Sequence, residues 1–218
     1  MKLPVALQLF TLREEMKTDF LGTIEKVAEI GYQGVEFAWT GDIAADTMKK
    51  QLDKLGLKVA GSHTGLNLLE DELDEVINYN NTIGNKYIII PHASYETKED
   101  FIEMAKKLSE IGAILKEKGL QLCYHNHAHE LKKYDGEYGL DLLYSNTDSD
   151  ILQTEIDTYW VKKAGVDPVS YLARYSGRTP VVHLKDIEAE TEDFAEVGEG
   201  IIDTAGLIKQ SIKNGAEW

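Results

Sequence analysis

Short apolar runs alternate with longer amphipathic stretches along the whole chain. Seven of the runs read as strands, at 4–10, 34–39, 58–62, 86–91, 121–127, 152–157 and 179–185, each followed by a helical or loop segment. Helix signals fill the intervals. The 23–30 stretch ends at Gly31, 47–55 at Gly56 and 99–118 at Gly119, each glycine suited to a left-handed C-terminal cap. Strand and helix alternating at roughly 25–35 residues per unit predict parallel strands, either closed as a (β/α)8 barrel or spread as an open doubly wound sheet.

Two observations favour the barrel. No glycine-rich phosphate loop follows the first strand, where a dinucleotide-binding sheet needs one, and polar residues recur at the C-terminal ends of many strands, as at a barrel mouth. Seven strands are complete, and an eighth would begin about where Ala216, Glu217 and Trp218 stand. The expectation is therefore an α/β (β/α)8 TIM barrel, its eighth strand truncated in the chain as given, forming one domain over residues 1–218.

Composition narrows the setting. Nothing Pro/Ser-rich or of low complexity divides the 218 residues, which suffice for one sizeable core. Cys123 is the only cysteine and forms no internal disulfide; the N-terminal apolar run is too short and too soon charged for a signal peptide or a membrane span. A cytoplasmic protein is expected. A net charge of −15, from 38 acidic and 23 basic residues, repels a polyphosphate backbone. The expected partner is a small molecule rather than nucleic acid or a membrane, and a homo-oligomer is left open.

Side-chain alternation shows which polar groups can meet. In 179–185, Val182 and Leu184 take one face; if that face packs on helices, His183 and Lys185 point into the barrel. The same rule pairs Glu155 with Asp157, and His125 with His127 opposite Leu122 and Tyr124. Imidazole and carboxylate converging from three successive strands suit a divalent ion, with Mn²⁺, Zn²⁺, Co²⁺ and Mg²⁺ all open.

The stretches "GYQGVEFAW", "GSHTGL", "YHNHAHE", "EIDTYWVKKAGVDP", "VVHLKD" and "VGEGIID" together resemble the xylose isomerase-like TIM-barrel superfamily, specifically its sugar phosphate isomerase/epimerase group, over nearly the whole chain. The resemblance implies a divalent metal at the barrel mouth with Asp157 and His183 as ligands. Relatives carry a glutamate in an E-N-H or E-P-H pattern on the fifth strand; aligned to it, His125 stands in the glutamate's place as a third ligand and His127 on the pattern's histidine. The substitution matters, because ligand glutamates are the acid/base pair of the family's isomerases and metal-bound imidazole cannot do that work. The fourth ligand, an eighth-strand glutamate, is not in this sequence.

The remaining candidates are weighed singly. Glu155 and Lys185 are the acid/base candidates; Lys185 can equally stay cationic and polarise a carbonyl or hold a carboxylate or phosphate. Glu36, His63, His92, His127 and Trp160 are the candidate substrate contacts, His63 and His92 because they follow the third and fourth strands. Trp39 and Trp160 can each wall a sugar pocket, although core packing is the default for an aromatic residue. His129 is expected at the surface, and Glu199 within "GEG" to brace the site. The leading function is a metal-dependent isomerase or epimerase of a small sugar acting through an enediolate. The alternatives are an inosose dehydratase-like lyase on a keto-polyol, suggested by Y-H-x-H, and a sugar-binding protein without turnover. The apurinic endonuclease branch wants a basic DNA-facing surface that this composition lacks.

Overall fold

A computed structural model describes residues 3–218. Seven strands form at the expected places, most of them shorter than the alternation suggests: β1 (Ala6–Gln8), β2 (Gly34–Phe37), β3 (Lys58–His63), β4 (Tyr87–Ile90), β5 (Gln121–His125), β6 (Leu152–Asp157) and β7 (Val181–His183). All run parallel, each beside the next in chain order. The sheet is curled: His183 Nε2 on β7 lies 3.1 Å from Glu36 on β2, across the interior. This is the (β/α)8 architecture, partly open between β7 and β1 among the described residues.

Local chemistry explains where strands stop. The Gln8 side chain accepts from the amide of Phe10 and turns β1 into a 3-10 helix at Leu9–Leu12. Beyond β7 the chain pairs with itself, Asp186 and Ile187 running antiparallel to Phe194 and Ala195. Helices cover the outside, at Phe20–Ile30, Ala45–Leu55, Leu73–Ile83, Lys98–Glu117 and Thr204–Asn214 among others. Gly31 and Gly56 take the left-handed caps expected of them, at φ 107° and 69°, and Thr97 opens the longest helix with a capping box to Asp100.

Two apolar layers lie between sheet and helices. One gathers Ile88, Ile90, Leu122, Tyr124, Leu152 and Ile156 with the inward faces of the later helices; the other gathers Val35, Phe37 and Val59 with Ile24, Val27, Met48 and Leu52. Each fully buried Leu, Ile or Phe contributes about 1.5–3 kcal/mol. The alternate strand residues point inward, where Tyr87, Ile89, Cys123 and Val181 form an apolar floor with Trp218. The backbone of Trp218 runs beside β7, its carbonyl accepting from Val182 at 3.1 Å, and its ring lies where a Cβ on Gly34 would come within 2.9 Å. Polar groups fill the interior above this floor. Among the described residues no helix is long and apolar enough to cross a membrane.

Candidate metal centre at the barrel mouth

The last inward residue of each later strand carries chemistry. On β5, Cys123 belongs to the floor and His125 to the mouth, while Leu122 and Tyr124 pack outward, as alternation predicts. Register then places Glu155 beside His125 and Asp157 beside His183. His125 Nε2 lies 3.3 Å from Asp157 Oδ2, and His183 Nδ1 lies 3.6 Å from the same oxygen. One donor atom from each of the three lies within 4.8 Å of the others, so these side chains could hold a metal ion.

Each member is fixed from behind. His125 Nδ1 donates to the carbonyl of Pro91 at 3.2 Å, which turns Nε2 toward Asp157 and the mouth. Asp157 caps the helix Thr158–Lys163: its Oδ1 accepts from the amide of Trp160, leaving Oδ2 for the imidazoles. Asn126, wholly buried, accepts from the Asp157 amide at 3.0 Å and donates to its carbonyl at 3.4 Å, tying the ends of β5 and β6 together. Thr158 Oγ1 lies 2.9 Å from the carbonyl of His183 and accepts from the Lys185 amide, which holds the end of β7.

Beneath the mouth lies a second group. Glu36, His63, Glu155 and His183 also offer four donor atoms within 4.8 Å of one another. His63 Nε2 lies 2.8 Å from Glu36 and 2.9 Å from Glu155, and the Gln8 amide donates to Glu36 from β1. Room for Glu36 comes from Gly61 opposite it, where a Cβ would stand 3.4 Å from the glutamate and 2.4 Å from Ile89. Burial alone would raise the Glu36 pKa, but the imidazoles of His183 and His63 outweigh it and hold the carboxyl well below its ordinary range. Burial likewise opposes charge on His63, yet Glu36 and Glu155 push it up to about 9. His183 is raised well above the ordinary value, Glu155 and Glu36 overcoming burial, and Asp157 is lowered because hydrogen bonds from His125 and His183 overcome its burial.

The other expected site residues occupy the rim. His127 stands 4.9 Å from the ring of His125 and 5.0 Å from Trp160; burial and the neighbouring His125 and His92 push it down to about 3. His92 is exposed beside His127 and His129. His129 is exposed too, its Nε2 2.9 Å from the Ala93 carbonyl. Trp160 is half-buried and bracketed by His127, Tyr159 and Phe194. Trp39 is elsewhere, edge-on to Phe20 at 6.3 Å.

Two expectations change. Lys185 does not point into the barrel: β7 ends at His183, so alternation does not carry to it, and its ammonium lies 3.7 Å from the ring centre of Phe194 and 5.0 and 5.2 Å from those of Tyr159 and Trp160. Burial lowers its pKa, partly opposed by Asp157. Glu199 is exposed and braces nothing; the brace is Asp186, whose carboxylate accepts from the amides of Ile187, Gly198, Gly200 and Ile202 at 2.9–3.2 Å. A Cβ on Gly200 would lie 2.2 Å from that carboxylate, so only glycine fits.

Alternation along single strands missed the supports. Asn126, between two histidines at a strand end, is the one whose place hinted at its role. Glu130, the glutamate closing "HNHAHE", is wholly buried and holds its own loop, accepting from the Tyr124 hydroxyl and the His127 amide, both at 2.8 Å.

Comparison with known proteins places this geometry in context. A family model described as xylose isomerase-like TIM barrel matches residues 24–216. An inosose dehydratase from Bacillus thuringiensis (strain Al Hakam) is 26% identical over 216 residues, covering 88% of this chain and 70% of that protein. The crystal structure of a sugar phosphate isomerase/epimerase from Parabacteroides distasonis superposes with a TM-score of 0.82 at 24% identity, over 99% of this chain and 84% of that one. The structure of the IolI protein with a bound zinc atom superposes with a TM-score of 0.76 at 15% identity, over 98% and 86% of the two chains.

Proposed function

The chain belongs to the xylose isomerase-like TIM barrel family, and from that membership we propose that it is a divalent-metal-dependent isomerase or epimerase of a small sugar, acting through an enediolate. The observation that carries the reading is the convergence of His125, Asp157 and His183 from β5, β6 and β7 on the C-terminal rim of a parallel barrel, where such folds place their chemistry. Curated relatives are enzymes of carbohydrate chemistry, which supports turnover over mere binding.

The donor set fits a divalent ion. It offers two imidazole nitrogens and one carboxylate oxygen, and the Pro91 carbonyl and the Trp160 amide occupy the atoms that face away from the centre. A cation held there by His125, Asp157 and His183 would supply Lewis acidity toward a substrate carbonyl and its neighbouring hydroxyl. A zinc-bound structural neighbour is consistent with this ion class.

The chain's own residues orient and move protons. Of the two acid/base candidates, Glu155 has no exposed surface and faces His63 and His183, whereas Lys185 reaches the rim beside Trp160. Lys185 is therefore the proton-handling or carbonyl-polarising group, and its aromatic cage favours the neutral amine by excluding water while the π faces steady the cation. His127, held neutral, and His92 beside it accept or donate hydrogen bonds to substrate hydroxyls. Glu36 and His63 act beneath the substrate rather than on it.

The destination of the proton decides the product: the neighbouring carbon for isomerisation, the other face of the same carbon for epimerisation, or a β-hydroxyl, whose C–O bond breaks so that it leaves as water, for dehydration. The dehydratase relative makes the last outcome the second reading. Incubating the protein, Mn²⁺ or Co²⁺ and candidate ketoses in D₂O tests enolisation by NMR. Deuterium at the α carbon is expected; growth of ultraviolet enone absorbance without exchange into recovered substrate would move the assignment to the lyase, and neither signal would leave a binder.

A further inference from the structure

The group beneath the mouth has a feature that its hydrogen bonds do not account for. Glu155 Oε1 has no exposed surface and no hydrogen-bond partner, although it faces His183 Nε2 at 3.4 Å. A buried carboxylate oxygen left unpaired is costly, and buried charge in proteins is either paired or bound to metal. The four donors surround a common point: His63 Nε2 is 2.8 Å from Glu36 Oε1 and 2.9 Å from Glu155 Oε2, while His183 Nε2 is 3.1 Å from Glu36 Oε1 and 3.4 Å from Glu155 Oε1. A tetrahedral ion with bonds of about 2.0–2.1 Å separates its ligands by roughly 3.3–3.4 Å, and these four contacts lie within about half an ångström of that spacing.

We propose that Glu36, His63, Glu155 and His183 form a second divalent-cation site, closed and four-coordinate, beneath the mouth triad, sharing His183 with it and so competing with it for one ion. Two carboxylates balance a divalent charge with both imidazoles neutral. Two nitrogens and two oxygens in a tetrahedron suit Zn²⁺ or Co²⁺ and exclude Mg²⁺, which wants six oxygens and keeps its waters. His63 and His183 retain 12% and 14% side-chain exposure, so an ion enters past the imidazoles from the mouth.

The two sites draw on opposite nitrogens of one ring. His183 turns Nε2 to the tetrad and Nδ1 to Asp157. A neutral imidazole has one lone pair, so a single ion occupies either the closed tetrad or the open triad, and the tautomer of His183 accompanies the choice. The tetrad, with four ligands and two charges, is the tighter. The mouth triad, with open positions, is where a substrate can join the coordination.

Co²⁺ reports the difference, because four-coordinate Co²⁺ absorbs visible light far more strongly than the five- or six-coordinate ion. Full-length protein stripped with chelator is titrated with Co²⁺ by calorimetry and visible absorption, with melting curves as the folding control. One ion per chain with the strong band is expected for the unaltered protein and for His125→Ala. His63→Ala and the near-isosteric Glu36→Gln should lose the band and bind at least ~10–100-fold more weakly. A His63→Ala and a Glu36→Gln that keep the original affinity and band overturn the closed site. If His125→Ala alone abolishes binding, the closed site falls and the triad stands; if His125→Ala binds unchanged while His63→Ala binds nothing, the triad falls as a metal site and the closed one stands. A folded unaltered protein that binds no Co²⁺ overturns both.

Discussion

His183 and Glu36 stand 147 positions apart in the chain, yet the Nε2 atom of one lies 3.1 Å from both carboxylate oxygens of the other. Curling of the sheet brings β7 over β2, and the contact makes His183 both a mouth residue and the partner of a buried acid. Replacing it therefore has two separable effects. His183→Ala should lower metal affinity by more than the ~10–100-fold typical of a lost supporting contact, and should cost about 1–3 kcal/mol of stability by depriving buried Glu36 of a partner. His129→Ala, at an exposed position, should leave affinity unchanged. Calorimetric metal titration and urea denaturation of both variants check this, and equal affinities would remove His183 from the site.

Stability of the metal-free protein should depend on pH from both sides. His63 is raised from 6.5 to about 9, so its stabilisation is complete below about pH 6.5 and disappears as pH rises through 9. Glu36 and Asp157 are lowered, so theirs is present above the ordinary carboxylate range and is lost on acidification. Metal binding runs the other way, since ligand imidazoles must be neutral. Melting temperatures of chelator-treated protein should fall between pH 6.5 and 9, while the increment produced by Co²⁺ grows over the same interval. A flat profile would contradict the His63 assignment.

Asn126 joins the ends of β5 and β6 through both faces of its amide. Asn126→Ala removes two buried hydrogen bonds and should cost about 1–3 kcal/mol. It should also weaken metal binding, because Asp157 loses the clamp on its backbone. Unchanged affinity in a destabilised variant would confine Asn126 to folding.

Lys185 is tested by its charge and its shape separately. If it handles a proton, Lys185→Met should slow solvent exchange into substrate by ~10²–10⁴-fold with little change in KM. If it holds an anionic group, Lys185→Arg should retain much of the activity and Lys185→Met should raise KM instead. Steady-state kinetics of the pair distinguishes the two roles, and wild-type rates in both variants would eliminate it from the reaction.

Much of this architecture could be read from the chain because alternation is a local signal. Leu122, Cys123, Tyr124 and His125 fall on alternate faces as their polarity demands, and glycines mark the helix ends. Alternation also put His125, Asp157 and His183 on inward faces, together with His127 and Lys185, and it was the family resemblance that singled out the three as candidate ligands. Closure was not legible. That Glu36 and His63 meet Glu155 and His183 depends on the curl of the whole sheet, which no window of sequence contains. Lys185 was misdirected because alternation was continued two residues beyond the point where β7 ends. Glu199 drew attention as a charged residue in a glycine turn, but the amides of that turn, not its side chain, carry the contacts to Asp186.

The Asp186 clasp anchors a loop. Its amide donors gather both ends of the segment between Ile187 and Ile202, while in the middle Phe194, 61% exposed, pairs with Ile187 and packs edge-on to Tyr159. The stretch that shelters Lys185 and Trp160 thus leans at both ends on a single carboxylate, and one side chain sets where this part of the rim stands.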